Sequence, residues 1–374
     1  MSNWVTLSDL GYVHRGRSKH RPRNAPELYG GPYPFVQTAD IKHAALYLTE
    51  YEQTYSQVGL EQSRLWPTGT LCITIAANIA DTAILGCEAC FPDSVIGFIP
   101  DKGKCDVRYV KYLFDTKLQE TLQQLSQGVA QDNLSKDKLL SVRFPIPDLS
   151  TQHRIADILS AYDGLIENNR KRIALLEESA RQLYREWFVR LRFPGHEHTR
   201  IAGSWPKGWK RCHLSDVCNI LYGKAHADIP EGDIPIVGSG GVMRKGNKAL
   251  YSAPSVLIPR KGTLGNIMLM EEPFWVVDTM FYTQMKIPNA VRWLYFTVCT
   301  MKLEERATGT AIPSMTTAIL NPMPLRLPSA EVLSSFEDWT NPIFAQIKTL
   351  RRESERLATA RDALLPRLMN GGVA

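Results

Sequence analysis

Apolar residues in this chain follow two periods: a heptad period in two long stretches and strict alternation in many short ones. In the middle, Ile155, Leu159, Tyr162, Ile166, Asn169, Ile173, Leu176, Ala180, Leu183 and Trp187 recur in steps of four and three. Near the end, Phe336, Thr340, Ile343, Ile347, Leu350, Ser354, Leu357, Arg361, Leu364 and Leu368 do the same, each 181 residues after its counterpart. A 3.5-residue apolar repeat predicts a helix whose seam needs a partner. Two such seams in one chain can cover each other, which predicts an intramolecular coiled coil. We take the pairing as antiparallel, which carries the two halves to opposite ends. The polar seam residues Asn169, Thr340, Ser354 and Arg361 would fix register or face other subunits.

The alternating stretches repeat as well. Trp4-Val-Thr-Leu-Ser-Asp-Leu10 resembles Trp209-Lys-Arg-Cys-His-Leu-Ser-Asp-Val217, and a glycine follows each, Gly16 and Gly223. Pro34–Thr38 resembles Pro235–Ser239, and Gly69–Ile75 resembles Pro254–Pro259, read as strands. Val107-Arg-Tyr-Val resembles Val291-Arg-Trp-Leu at the start of a helix-like stretch, and Phe144–Pro147 resembles Leu325–Pro328. Proline ends a strand before each long helix. The predicted class is mixed (α/β, α+β): two similar globular units and two long helices with pseudo-twofold symmetry. The expected divisions are a first unit over 1–150, a central helix over 151–193, a linker and second unit over 194–328, and a C-terminal helix over 329–374. Ser150 or Thr151 is the expected cap of the central helix and Pro194-Gly195 its stop. At ~1.5 Å per residue each seam covers roughly 50 Å. That is the order of length needed to hold two readers about 34 Å or somewhat more apart on one face of duplex DNA.

Composition changes this picture little. With 44% hydrophobic and 22% charged residues, disorder and membrane spans are both disfavoured. No apolar run approaches the ~20 residues of a bilayer span, and the first ten residues lack a signal-peptide pattern. Seven cysteines without framework spacing predict reduced thiols and a cytoplasmic protein. A net charge of +6 is compatible with a polyanionic partner without requiring one.

No catalytic constellation stands out. Cys87-Glu-Ala-Cys90 is a single CxxC where a structural zinc site needs two pairs, so no metal is expected. Gly241–Gly246 has the glycine spacing of a phosphate loop, but Asn247 stands where the lysine belongs. Asn341-Pro-Ile-Phe344 faintly resembles an amino-methyltransferase motif yet falls inside the second heptad helix.

Basic and polar loops carry more. Arg15, Arg17, Lys19, Arg21 and Arg23 share nine positions, and Lys224, Arg244, Lys245, Lys248, Arg260 and Lys261 recur in corresponding places of the second half. Such side chains reach phosphates, and arginine can read guanine. Gln37, Thr38, Asp40, Gln127, Gln131 and Asn133 add groups that pair with adenine or accept from cytosine. Each alone also suits a turn or cap.

These residues resemble a known family, the specificity subunits of type I restriction-modification systems, over essentially the whole chain. The resemblance rests on Trp4–Leu10, Arg15–Asn24, Pro34–Ile41, Gln152-His-Arg-Ile-Ala-Asp-Ile-Leu159, Pro206-Lys-Gly-Trp209 and Gly309-Thr-Ala-Ile-Pro-Ser314, in that order. It implies two target recognition domains, each reading half of a bipartite asymmetric site in double-stranded DNA. The paired helices would set the spacer and dock two methylation subunits, with restriction subunits completing the complex. S-adenosylmethionine, ATP and Mg2+ would bind those partners, leaving no cofactor in this chain and no catalysis of its own. Ser239, Thr263, Thr310 and Ser314 join the DNA-binding set on the same ground. The family's basic-x-Gly-Thr-x-Gly turn is present as Arg260–Gly265, but the first half has Ala76–Asp81 instead, leaving Asn78 as its candidate reader. The rival expectation is a stand-alone restriction or modification enzyme.

Overall fold

The two halves build the same sheet. In the computed structural model, which describes residues 3–76, 79–118, 136–202, 205–306 and 314–370, the first half aligns Gly11–Arg15, Val95–Pro100, Leu71–Thr74 and Thr82–Leu85 side by side. The second aligns Cys218–Tyr222, Met280–Met285, Ser255–Pro259 and Met268–Met270 in the same order, all antiparallel. The first sheet carries one more strand, Tyr47–Leu48, parallel to Thr82–Leu85. A two-stranded ladder closes each half: Asn3–Val5 against Phe144–Ile146, and Lys210–His213 against Pro324–Leu327. The central strands Leu71–Thr74 and Ser255–Pro259 are buried throughout, as strands covered on both faces must be.

The long helices run Leu149–Tyr184 and Ala330–Met369. None of their heptad seam positions is exposed. The first helix starts one residue before the expected cap. Asp148, not Ser150 or Thr151, holds the first turn: its carboxylate accepts from the Thr151 N–H at 2.9 Å and from the Thr151 hydroxyl at 2.9 Å. A carboxylate there also meets the positive end of the helix dipole. The helix also stops short of Pro194-Gly195, passing into a π-helical turn over Arg185–Val189. The wider turn lets Trp187 and Phe188, adjacent in sequence, both enter the core.

The chain divides into two compact units, Met1–Arg172 with Leu350–Ala374, and Ile173–Thr349. In the first, Ile155 and Leu159 pack in one cluster with Leu364, Leu365, Leu368 and Met369. In the second, Ala180, Leu183, Tyr184 and Trp187 pack with Leu333, Phe336 and Ile343. The beginning of one helix meets the end of the other in both clusters, so the pairing is antiparallel.

Each unit grips its own long helix with an arginine from the matching short helix. Arg108, in Val107–Leu113, pairs with Asp106 at 2.7 Å and reaches Asp157 at 2.9 Å and Ser160 at 3.2 Å on the central helix. Arg292, in Val291–Cys299, pairs with Glu271 at 2.7 Å and reaches Glu337 at 3.3 Å and Asn341 at 2.6 Å on the C-terminal helix. Ser160 and Asn341 occupy the same repeat position. Asn341 therefore serves the helix–unit contact.

Candidate nucleic-acid interface

Both sheets end in the same glycine corner. After Gly11–Arg15 the chain turns at Gly16, whose N–H donates to the Val95 carbonyl at 2.8 Å, and the next N–H, of Arg17, donates to Phe91 at 3.0 Å. After Cys218–Tyr222 it turns at Gly223, which donates to Met280 at 3.0 Å, and the Lys224 N–H donates to Val276 at 2.9 Å. A Cβ at Gly16 would lie 2.3 Å from the Pro92 oxygen, and one at Gly223 would lie 2.0 Å from the Val277 oxygen. Only glycine lets the backbone approach this closely. The corner's product is an exposed cation at one equivalent place in each unit, Arg17 and Lys224.

The facing turns match too. Asp93 and Asp278 lie in the turns just before the strands Val95–Pro100 and Met280–Met285, which receive the glycine bonds, and each has an arginine on its carbonyl: Arg15 Nε at 3.0 Å and Arg260 Nη1 at 3.0 Å. The two arginines come from different strands of their units. Arg23 adds an ion pair to the Asp93 carboxylate at 3.0 Å. Arg21 donates to the Ser18 and His20 carbonyls, and Gln62 Oε1 accepts from the N–H groups of Lys19 and His20 at 2.7 and 3.0 Å. The run of five cations is therefore partly internal scaffolding. Arg15, Arg21 and Arg23 shape the loop, while Arg17 and Lys19 have no side-chain partner among the described residues.

In the second unit several expected residues converge on one rim. The Arg260 guanidinium lies 5.6 Å from the exposed Tyr222 ring, and its carbonyl accepts from the Met315 N–H, next to Ser314. Gly262 has φ +81 and approaches Ser239, whose carbonyl accepts from Asn266 at 2.9 Å. Lys261 and Thr263 project from this turn, exposed. The Lys224 carbonyl is fixed by Trp275 Nε1 at 3.1 Å, leaving its ammonium outward. Lys245 and Lys248 are exposed on and after the strand Gly241–Gly246, which pairs with Ile234–Gly238 as a hairpin and is no phosphate loop. Arg244 is different. It donates to the carbonyls of His226 and Ile229 and ties that hairpin to the preceding loop.

The first unit's rim is less basic at the matching turn. The Ile75 N–H donates to Ser94 as that of Arg260 does to Thr279, so a buried isoleucine stands where the second unit has arginine. Gln37 and Asp40 form a capping pair, with Asp40 accepting the Gln37 N–H at 2.7 Å, while Gln37 Nε2 donates to Gln53 at 2.7 Å. Thr38 opens that short helix, Thr38–His43. Asn78, Gln127, Gln131, Asn133 and Thr310 lie outside the described residues. Missed from sequence was a stack in which the half-buried Arg64 lies 4.3 Å from the buried Trp66 ring and 5.0 Å from the exposed Tyr12, donating to the Tyr12 hydroxyl at 2.8 Å. Tyr12 lies some fifty residues before Arg64 and Trp66, and no local spacing joins it to them.

Cys72, Cys90 and Cys105 are buried free thiols, and burial pushes Cys105 up to about 12, so they act as core residues. Among the described residues no group of three metal-ligating side chains converges, and no helix is long and apolar enough to cross a membrane.

Comparison with known proteins agrees with the duplicated architecture. A family model described as "Type I restriction modification DNA specificity domain" matches residues 1–178 and again 206–349. The specificity subunit of the type I restriction enzyme MjaIX from Methanocaldococcus jannaschii is 24% identical, covering 98% of this chain and 92% of its own length. That of EcoprrI from Escherichia coli is 22% identical, covering 91% and 88%. The fold resembles the crystal structure of a type I restriction-modification S subunit from M. genitalium, with TM-score 0.60, 16% identity, and 98% and 96% of the two chains covered. With two matched domains spanning most of its length, this chain belongs to the type I restriction-modification DNA specificity family, as a noncatalytic specificity subunit.

Proposed function

We propose that each unit reads one half of a bipartite, asymmetric sequence in double-stranded DNA, and that the antiparallel helices set the unread gap between the halves. The observation that carries this reading is the duplicated glycine corner, which presents Arg17 and Lys224 from identical backbone frames. Exposed cations of this kind seat a protein on phosphates, while nearby polar side chains read base edges. In the second unit the readers would come from Arg260, Lys261, Thr263, Ser239 and Ser314. The chain also docks two methylation subunits and, through them, restriction subunits. Ile158 and Trp339, one repeat apart and 37% and 59% exposed, give each long helix an apolar contact at the same place. S-adenosylmethionine, ATP and Mg2+ belong to those partners, and the target adenine is flipped into the methylation subunit's site.

The test is methylation mapping on DNA from cells expressing the chain with its partner subunits. A modified motif of two short blocks with a fixed gap is expected. A continuous motif, or methyl transfer or cleavage by the purified chain alone, sinks the reading.

A further inference from the structure

A chain that uses one unit twice faces a choice of partner. Each helix seam can be covered by the other seam of its own chain, or by the same seam in a second copy. One layer of the first unit bears on that choice. The hydroxyl of Tyr112 and the guanidinium of Arg361 donate to the two carboxylate oxygens of Asp163. Asp163 is 5% exposed, so its charge depends on these partners. One repeat away, Asp163 corresponds to Phe344 and Arg361 to Ala180; in the Arg108–Arg292 match, Tyr112 corresponds to Phe296. All three equivalents lie in or against the second unit's apolar core, with the Phe296 and Phe344 rings 6.4 Å apart. The ion pair that joins the two helices in the first unit is thus replaced in the second by apolar side chains, with the Arg292 guanidinium of the short helix over the Phe344 ring at 4.7 Å.

We propose that this layer is a pairing code, by which the central helix accepts the C-terminal helix and both reject a second copy of themselves. Two central helices paired antiparallel would set Asp163 against Ala180. Two C-terminal helices would set Arg361 against Phe344. The first arrangement buries the Asp163 carboxylate without its cation, and the second takes Arg361 from its buried partner and leaves it only the exposed Asp362 of its own helix, whereas the pairing within one chain satisfies both. Polar seam residues that select partner and register act in this way. This inference stands whether or not the proposed DNA reading is correct.

The test uses the full chain. Asp163→Arg and Arg361→Asp are prepared separately, refolded from urea alone and as a 1:1 mixture, and sized by light scattering. Alone, each variant sets like charges together within its own chain, and its unfolding midpoint should fall below that of the parent. In the mixture, exchanging C-terminal helices satisfies both layers at once, so an equimolar dimer of twice the chain mass is expected. The double variant Asp163→Arg/Arg361→Asp should return to the parent's size. No mixed dimer, or an equal yield of dimer from the parent treated alike, overturns the proposal. So does association of the double variant, which would place the effect in packing and not in charge. A third variant copies the apolar layer, Tyr112→Phe/Asp163→Phe/Arg361→Ala. It should self-associate with rising concentration where the parent does not, and a size unchanged from the parent's would count equally against the code.

Discussion

Replacing Arg292 by methionine should loosen the second unit from its own helix. The guanidinium is 6% exposed and is held by Glu271, Glu337, Thr340 and Asn341. Methionine fills much of the space but leaves two carboxylates without a cation. Breaking a buried ion pair on one side costs about 3–5 kcal/mol. Glu271 and Glu337 keep 25% and 17% of their side-chain surface, so the lower end, about 3 kcal/mol, is expected. The loss should depend on pH. Burial holds Glu337 above its ordinary value of 4.5, and Arg292 pulls it back down. Without Arg292 the upward push is unopposed. A carboxyl raised on folding costs nothing below its unfolded value and most above its folded one, so the deficit should widen as pH rises from acid toward neutral. Urea unfolding followed by tryptophan fluorescence at pH 5 and pH 8 measures it, with Trp293 beside the site. Arg292→Lys, which keeps the charge and loses the planar fork, should fall between. A change below about 0.5 kcal/mol, or the same loss at both pH values, refutes the argument.

Phe336→Ala removes a fully buried ring from the aromatic cluster of Tyr184, Trp187 and Phe188, and should cost about 3–5 kcal/mol by denaturant titration. Gly223→Ala forces the corner open against the Val277 carbonyl, costing about 1–3 kcal/mol and weakening recognition of one half-site in footprints of the assembled complex. Arg17→Ala and Lys224→Ala should each lower the salt dependence of DNA binding by about 0.9 in log–log slope without changing the preferred sequence; a changed motif would show that they read bases. Asp148→Ala tests the helix cap. Bonds from Thr151 hold this carboxyl below its ordinary range, so it stabilises above its unfolded value and stops doing so as pH falls through the folded one. The variant's melting temperature should trail the parent's at pH 7 and converge with it in strong acid.

The heptad seams were legible because burial on a helix repeats locally, and every position from Ile155 to Trp187 and from Phe336 to Leu368 in that register is withdrawn from solvent. The duplication was legible for the same reason, and it extends to strand order. What could not be read were pairings between distant residues. The match of Val107-Arg108 with Val291-Arg292 was visible, but nothing local showed that each arginine grips a long helix some fifty residues later. Nor did the basic run before Asn24 reveal that Asp93 would neutralise Arg23. Arg361 was expected to fix register or to face another subunit, and nothing local named its counter-ion, Asp163, just outside the heptad register on the opposite helix.

The first compact unit is discontinuous, for it takes residues 350–374 from the far end of the chain. During synthesis, Ile155 and Leu159 emerge long before Leu364 and Leu368, which complete their cluster. At 5–20 residues per second, making the intervening stretch takes roughly 10–35 s. The second unit, continuous from Ile173 to Thr349, can close in that interval. The unit translated first is therefore finished last. A premature stop shortly after residue 350 should leave the first unit without its closing helix and spare the second, which is encoded beside the lesion.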